Sequence, residues 1–201
     1  MSPGEFARGD GLVDIHCHAL PGVDAGAASV AMGLDMLRRA ADEGVDDVVL
    51  TPHYRPEDGL ERAQQLQDYF EGFAVDVADA GIGVRVHLGA ELGFRFGLAH
   101  LAQSVTVARL AGGPHVLVDL PPGPLSPGLE QAFFEIRTAG YRPVLAHPER
   151  HRELAAASVA APRPLPSVLP SPGRLTSSAA TGTTWRNGLC PCAPPTSRWS
   201  S

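Results

Sequence analysis

Eight residues in this chain have the types and spacing for metal-assisted chemistry: His16, His18, Asp24, His53, Glu91, Asp119, His147 and Arg150. His16-Cys17-His18 closes an apolar run, and alternate residues of an extended segment point to one side. Two imidazoles on one side can share an ion. His53 lies in Thr51-Pro52-His53-Tyr54, Glu91 follows Gly89-Ala90, Asp119 ends a later apolar run, and His147 directly follows the last one. Mixed imidazole and carboxylate donors suit Zn, Mn or Fe better than Ca or Mg alone. Because carboxylates bridge ions, the set has room for two or three of them. Clustered divalent ions activate water and stabilise both the attacking and leaving oxygens in phosphoester hydrolysis. Arg150, three residues after His147, offers a planar fork for a phosphate.

Each residue also has a plainer reading. An HxH pair is commonly a polar strand end, and a single His53 or His147 is commonly structural. Glu91 and Asp119 read alone as capping or solvated carboxylates, and Arg150 as a surface ion-pair partner. Their joint placement at strand ends is what points to a shared metal site. His87, His100, His115 and His151 lack that placement and read as surface or loop histidines. Cys17 is expected to point away from the site into the packing, and Cys190-Pro191-Cys192 is only a C-x-C without further ligands.

The elements that must position these groups follow from periodicity. Leu12–His16, Val48–Thr51, Val84–Leu88, Val105–Leu110, Val116–Leu120 and Val144–Ala146 read as strands. Val30–Glu43 behind an N-cap at Ser29, Leu60–Ala80 and Leu129–Ala139 read as helices, stopped by Gly44, Gly81 and Gly140. Alternating β and α units imply an α/β fold, a parallel sheet or barrel with right-handed crossovers. In barrels of parallel strands the catalytic residues converge at the C-terminal strand ends, where every candidate here falls.

Composition bounds the alternatives. The 201 residues are 44% hydrophobic and 19% charged, enough for a core. A net charge of -6 argues against a nucleic-acid binder. No apolar run approaches the length of a membrane span and no signal-peptide core is evident, so membrane insertion is not expected and a cytoplasmic location is. Three cysteines make no disulfide framework. All 16 basic residues are arginine, and all 22 acidic ones lie at or before Glu153. Beyond it the chain is rich in Pro, Ser, Thr, Ala and Arg without periodicity, with Pro162, Pro164, Pro166, Pro170 and Pro172 crowded together. The expected organisation is a domain over 12–153 and a tail over 154–201, either disordered or translated out of frame.

The motifs Asp14-Ile15-His16-Cys17-His18-Ala19-Leu20-Pro21-Gly22-Val23-Asp24, Thr51-Pro52-His53-Tyr54, Gly89-Ala90-Glu91 and Ala146-His147-Pro148-Glu149-Arg150 occur in this order. Together they resemble the bacterial PHP-type protein-tyrosine phosphatases of capsule and exopolysaccharide loci, over about Leu12 to Glu153. The resemblance implies a distorted TIM-like barrel with a three-metal site, usually manganese, acting on a phosphotyrosine-bearing tyrosine autokinase. It implies His16 and His18 at a first metal, Glu91 as bridging carboxylate, His147 at a second metal and His53 at a third. It also implies Arg150 on the phosphate, with Asp119 where the family usually has Glu. Asp24 is followed by Ala25, where the family commonly has paired aspartates. Nothing after Glu153 matches the family's final Asp-x-His segment and second arginine, so the barrel is expected to be incomplete and turnover slow. The competing readings are a PHP phosphatase for a small phosphoester and a non-catalytic fragment or binding module.

Overall fold

Apolar, β-branched runs in this chain become parallel strands, and the amphipathic stretches between them become helices laid against one face. The computed structural model describes residues 11–152 and 154. The strands are β1 (Leu12–Cys17), β2 (Val45–Leu50), β3 (His53–Tyr54), β4 (Arg85–Leu88), β5 (Glu91–Gly93), β6 (His115–Asp119) and β7 (Arg142–Leu145). The helices are α1 (Val30–Asp42), α2 (Gly59–Asp79), α3 (Leu98–Ser104) and α4 (Leu129–Thr138). The expected tail lies almost wholly outside the described residues.

Helix α1 shows why the local sequence folds as it does. Ser29 is extended and its hydroxyl accepts the Met32 amide at 3.3 Å, satisfying one of the free amides of the first turn. Gly33, Met36, Leu37 and Ala40 recur at helical spacing and are buried. A Cβ at Gly33 would run into the Ala19 carbonyl and the Phe73 ring, so glycine there lets α1 press onto the loop that follows β1. Gly44, at φ +85°, adopts a left-handed conformation that ends the helical segment.

The strands form two ladders, β1-β2-β4 and β3-β5-β6-β7, every pairing parallel. They are one strip with a break. Only Thr51-Pro52 separates β2 from β3, and only Gly89-Ala90 separates β4 from β5. Pro52 has no amide to donate, so the ladder cannot pass straight through it. Hydrogen bonds from Gly89 N to Leu50 O at 2.9 Å and from Glu91 N to Pro52 O at 3.1 Å carry the pairing across. Just past the break His53 and Glu91 open the second ladder, paired with each other.

The helix-covered face holds the main core, which includes Cys17, Leu37, Leu50, Leu66, Leu92, Val118 and Ile136. Cys17 thus points into packing, away from its histidine neighbours. A smaller cluster of Val49, Leu110, Leu117 and Ala146 fills the other face. Among the described residues β1 and β7 are the outer strands and do not pair, so an α/β fold with parallel strands is seen, but these residues do not close a barrel.

One expected strand is absent. Val105–Leu110 forms parts of two 3-10 turns, Thr106–Ala108 and Leu110–Gly112, following α3. Val105, Val107 and Ala108 join the main core while Leu110 joins the smaller cluster. A turning backbone can serve both clusters, and a short apolar run is compatible with any backbone that buries it.

Candidate metal centre

Glu91 is the hub. It begins β5, it is fully buried, and four imidazoles surround its carboxylate. Its Oε2 lies 3.1 Å from His18 Nε2, 3.1 Å from His53 Nδ1 and 3.3 Å from His16 Nε2. Its Oε1 lies 3.6 Å from His147 Nε2. His16 lies in β1 next to its last residue, Cys17, with His18 just beyond the strand, and their Nε2 atoms are 3.2 Å apart. The rings of His16 and His147 are 4.8 Å apart, and those of His18 and His53 are 4.9 Å apart.

Two groups of candidate donors share Glu91: His16, Glu91 and His147, and His18, His53 and Glu91. Within each group the donor atoms lie within 4.8 Å of one another. Neither Glu91 oxygen has a hydrogen-bond partner, although both are buried and close to ring nitrogens. An uncompensated buried carboxylate is costly, so lone pairs that converge on common points without sharing protons are arranged for a cation. The chemistry of this donor set fits divalent ions, which the two groups sharing Glu91 would hold.

The backing of each donor comes from nearby chain. Asp24 sits behind His18, its Oδ2 2.8 Å from His18 Nδ1, leaving Nε2 to face Glu91. Its carboxylate also accepts the Gly26 amide at 2.8 Å and the His53 amide at 3.3 Å. A carboxylate on the far nitrogen of a histidine fixes its tautomer and ring direction. Arg62 donates to Val23 O at 2.9 Å and so ties down the loop bearing Asp24. Buried Thr51 accepts the Cys17 amide at 3.0 Å, stitching β1 to the end of β2 between the two histidines. Asp14 accepts the His16 amide at 3.0 Å.

The electrostatics favour positive charge at this point. Burial alone would push the His18 imidazole down, but the hydrogen bond to Asp24 and the nearby negative charge of Glu91 outweigh it and raise it to about 9. Burial would likewise raise Glu91, yet His16 and His18 hold it far below the usual carboxylate range. Asp24 is also held low, its burial offset by His18. His147 is pushed down by burial and by the neighbouring His16 and Arg150.

Of the sequence-derived candidates, His16, His18, His53, Glu91 and His147 come together. Asp24 stands behind His18 and belongs to neither donor group. Asp119 ends β6 outside both groups, with a buried Oδ1 that has no hydrogen-bond partner. Arg150 closes the 3-10 turn Pro148–Arg150 and is exposed.

His147 itself has φ 50° and ψ 46°, a left-handed conformation that is strained for a residue with a Cβ. Three histidines differ from their surface or loop reading, and of these His115 begins β6 and is half-buried. His87 lies on β4, 2.8 Å from buried Asp47, which also accepts two hydrogen bonds from Arg85. His151 is buried, and nothing in its spacing announces this.

Residues 12–162 match the family of capsular polysaccharide synthesis proteins CpsB/CapC. The chain is 27% identical over 143 residues to the tyrosine-protein phosphatase YwqE of Bacillus subtilis (strain 168). It is 25% identical over 143 residues to CapC of Staphylococcus aureus. Each alignment takes in 71% of this chain and 56% of the relative. It also matches a chain from crystal structures of YwqE and of CpsB from Streptococcus pneumoniae, described as metal-dependent tyrosine phosphatases. That match has a TM-score of 0.66 and 27% identity, covering 72% of this chain and 59% of the other. The chain therefore spans little more than half the length of these relatives. The family match takes in the whole strip of strands, Glu91 and the four histidines gathered around its carboxylate, and this chain belongs to the CpsB/CapC family.

Proposed function

We propose that the site hydrolyses phosphotyrosine on proteins with two or three divalent ions, Mn²⁺ foremost and Fe or Zn as substitutes. We propose that this chain works in the cytoplasm and that its substrate is a tyrosine autokinase of capsule or exopolysaccharide synthesis. The observation that carries the reading is the buried Glu91 carboxylate, free of hydrogen bonds and ringed by four imidazoles. The family and its phosphatase relatives support the choice of reaction.

His16, Glu91 and His147 would hold one ion and His18, His53 and Glu91 a second, and Asp24 and Asp119, outside both groups, are the remaining donors we propose toward a third. Bound there, such ions supply an activated water and offset the charge on a phosphoryl group in flight. The chain's own residues do the rest. Glu91, sealed from solvent, keeps its charge undiluted between the two donor groups. Asp24 fixes the His18 tautomer so that Nε2 faces inward. His53, exposed at the rim, leaves that side open to a substrate. Arg150, exposed three residues after His147, would grip a phosphate oxygen with its planar fork.

The test is hydrolysis of a phosphotyrosine peptide by the purified protein, with and without Mn²⁺, using His147→Ala as blank. Mn²⁺-dependent turnover abolished by that substitution supports the reading. We expect it to be slower than in full-length relatives, because the final Asp-x-His segment and second arginine of the resemblance have no match here. Each lost donor at a reacting centre costs roughly 10²–10³ in rate. Faster turnover of a small phosphoester than of the peptide would move the assignment to the small-molecule branch. No turnover above the blank would overturn the reading.

A further inference from the structure

Among the described residues His151 is the one fully buried histidine, 2% exposed, and the chemistry above gives it no task. Its Nδ1 lies 3.1 Å from the carbonyl oxygen of Gly123, so Nδ1 carries the proton and donates. Gly123 belongs to the loop 121–128, which leaves β6 just beyond Asp119. At φ +120° it adopts a backbone conformation that side-chain-bearing residues rarely take. The far end of that loop is fixed as well, because the Phe96 ring packs where Gly128 lacks a Cβ.

On its own side, His151 ends the turn that carries His147 and Arg150. Arg150 N donates to His147 O at 3.0 Å, and His151 N donates to Pro148 O at 3.2 Å. Those short-range bonds close the turn on itself but do not orient it against the rest of the molecule. His147 is meanwhile held in a strained left-handed conformation, which persists only where the surroundings over-determine it.

We infer that His151 is a positioning residue of the site: its bond to Gly123 O locks the 147–150 turn to the loop beyond Asp119. The lock sets the direction of the His147 imidazole toward Glu91 and the place of Arg150 at the mouth. The inference rests on the proposed metal site for its consequence, and on the geometry alone for the lock.

Two substitutions separate a positioning hydrogen bond from mere space-filling. His151→Asn keeps a donor near the Nδ1 position in a smaller side chain, whereas His151→Phe keeps the ring volume and removes the donor. We expect His151→Phe to weaken Mn²⁺ binding about tenfold by calorimetry, in the range seen when the partners that orient metal ligands are lost. His151→Asn is expected to stay close to wild type. In the metal-free protein the amide resonances of His147 and Arg150 should move in His151→Phe and be restored in His151→Asn. Gly123→Ala, which disturbs the acceptor side, should weaken Mn²⁺ binding as His151→Phe does, and the double variant should be no worse than either single one. The opposite order, with His151→Asn impaired and His151→Phe intact, would show that volume matters and overturn the inference. Unmoved resonances in both variants would do the same. Failure of the wild-type protein to bind Mn²⁺ would remove the metal reading, while the amide shifts would still decide whether the lock exists.

Discussion

The imidazole rings of His16, on the first strand of the strip, and His147, just beyond the end of the last, lie 4.8 Å apart. Strands β1 and β7 do not pair, so this contact is made by curvature and not by a ladder. The twist of successive parallel strands curves the strip enough to bring these two side chains together, although the outer strands themselves do not pair. Glu91, on a strand between them, then reaches both with one carboxylate. Ligand geometry and sheet curvature are therefore coupled, and a change in either should be felt in the other.

Glu91→Gln keeps the shape of the side chain and removes its charge. Affinity for Mn²⁺ should fall on the order of 100-fold or more, with the far-ultraviolet circular dichroism unchanged. Calorimetric titration checks this, and retained affinity would mean that Glu91 is not the bridge.

The strain at His147 predicts a separation between stability and function. Glycine takes φ 50° without penalty, whereas alanine keeps the strain. His147→Gly should therefore be more stable than His147→Ala by about 1 kcal/mol in urea unfolding, with metal binding impaired in both. Equal stabilities would show that the left-handed conformation costs little here.

Asp47 gives a pH prediction remote from the site. Burial pushes its carboxyl up, but the hydrogen bonds from Arg85 and the contact with His87 win and hold it below its ordinary 3.8. The unfolded chain therefore binds this proton more readily. Its stabilising contribution is complete above pH 3.8 and drains away as pH falls through the depressed native value. Wild-type protein should lose stability below about pH 4 more steeply than Asp47→Asn. Parallel acid-unfolding curves would contradict this.

Leu117→Ala opens a cavity in the smaller cluster, which also holds Ala146, the chain neighbour of His147. The expected cost is about 2–4 kcal/mol in denaturant unfolding, accompanied by weaker metal binding. A loss below 1 kcal/mol would mean that this face collapses to fill the space.

The sequence shows the candidate donors because they sit just beyond apolar runs or, like Asp119, at the end of one, and strand ends leave that signature. It shows α1, α2 and α4 through sustained helical spacing closed by Gly44, Gly81 and Gly140. Strands β3 and β5 escape notice because two- and three-residue strands have no period to read. They are nonetheless the breaks that aim His53 and Glu91. Helix α3 is one short stretch behind a left-handed Gly97, and Val105–Leu110 mimics a strand because burial on two faces gives strand-like apolarity. The supporting roles of Thr51, Asp47 and His151 depend on contacts across 28 to 40 residues of chain, which single-sequence spacing does not encode.

The central claim is that two donor groups sharing Glu91 hold divalent ions at the mouth of the strip. Anomalous diffraction at the manganese edge, from crystals grown with Mn²⁺, tests it most directly. The account predicts two peaks on either side of Glu91, one contacting His16 and His147 and the other His18 and His53, each at about 2.0–2.2 Å from its donors by analogy with zinc. Peaks located only elsewhere on the protein, with Glu91 and its four imidazoles bare, would contradict it.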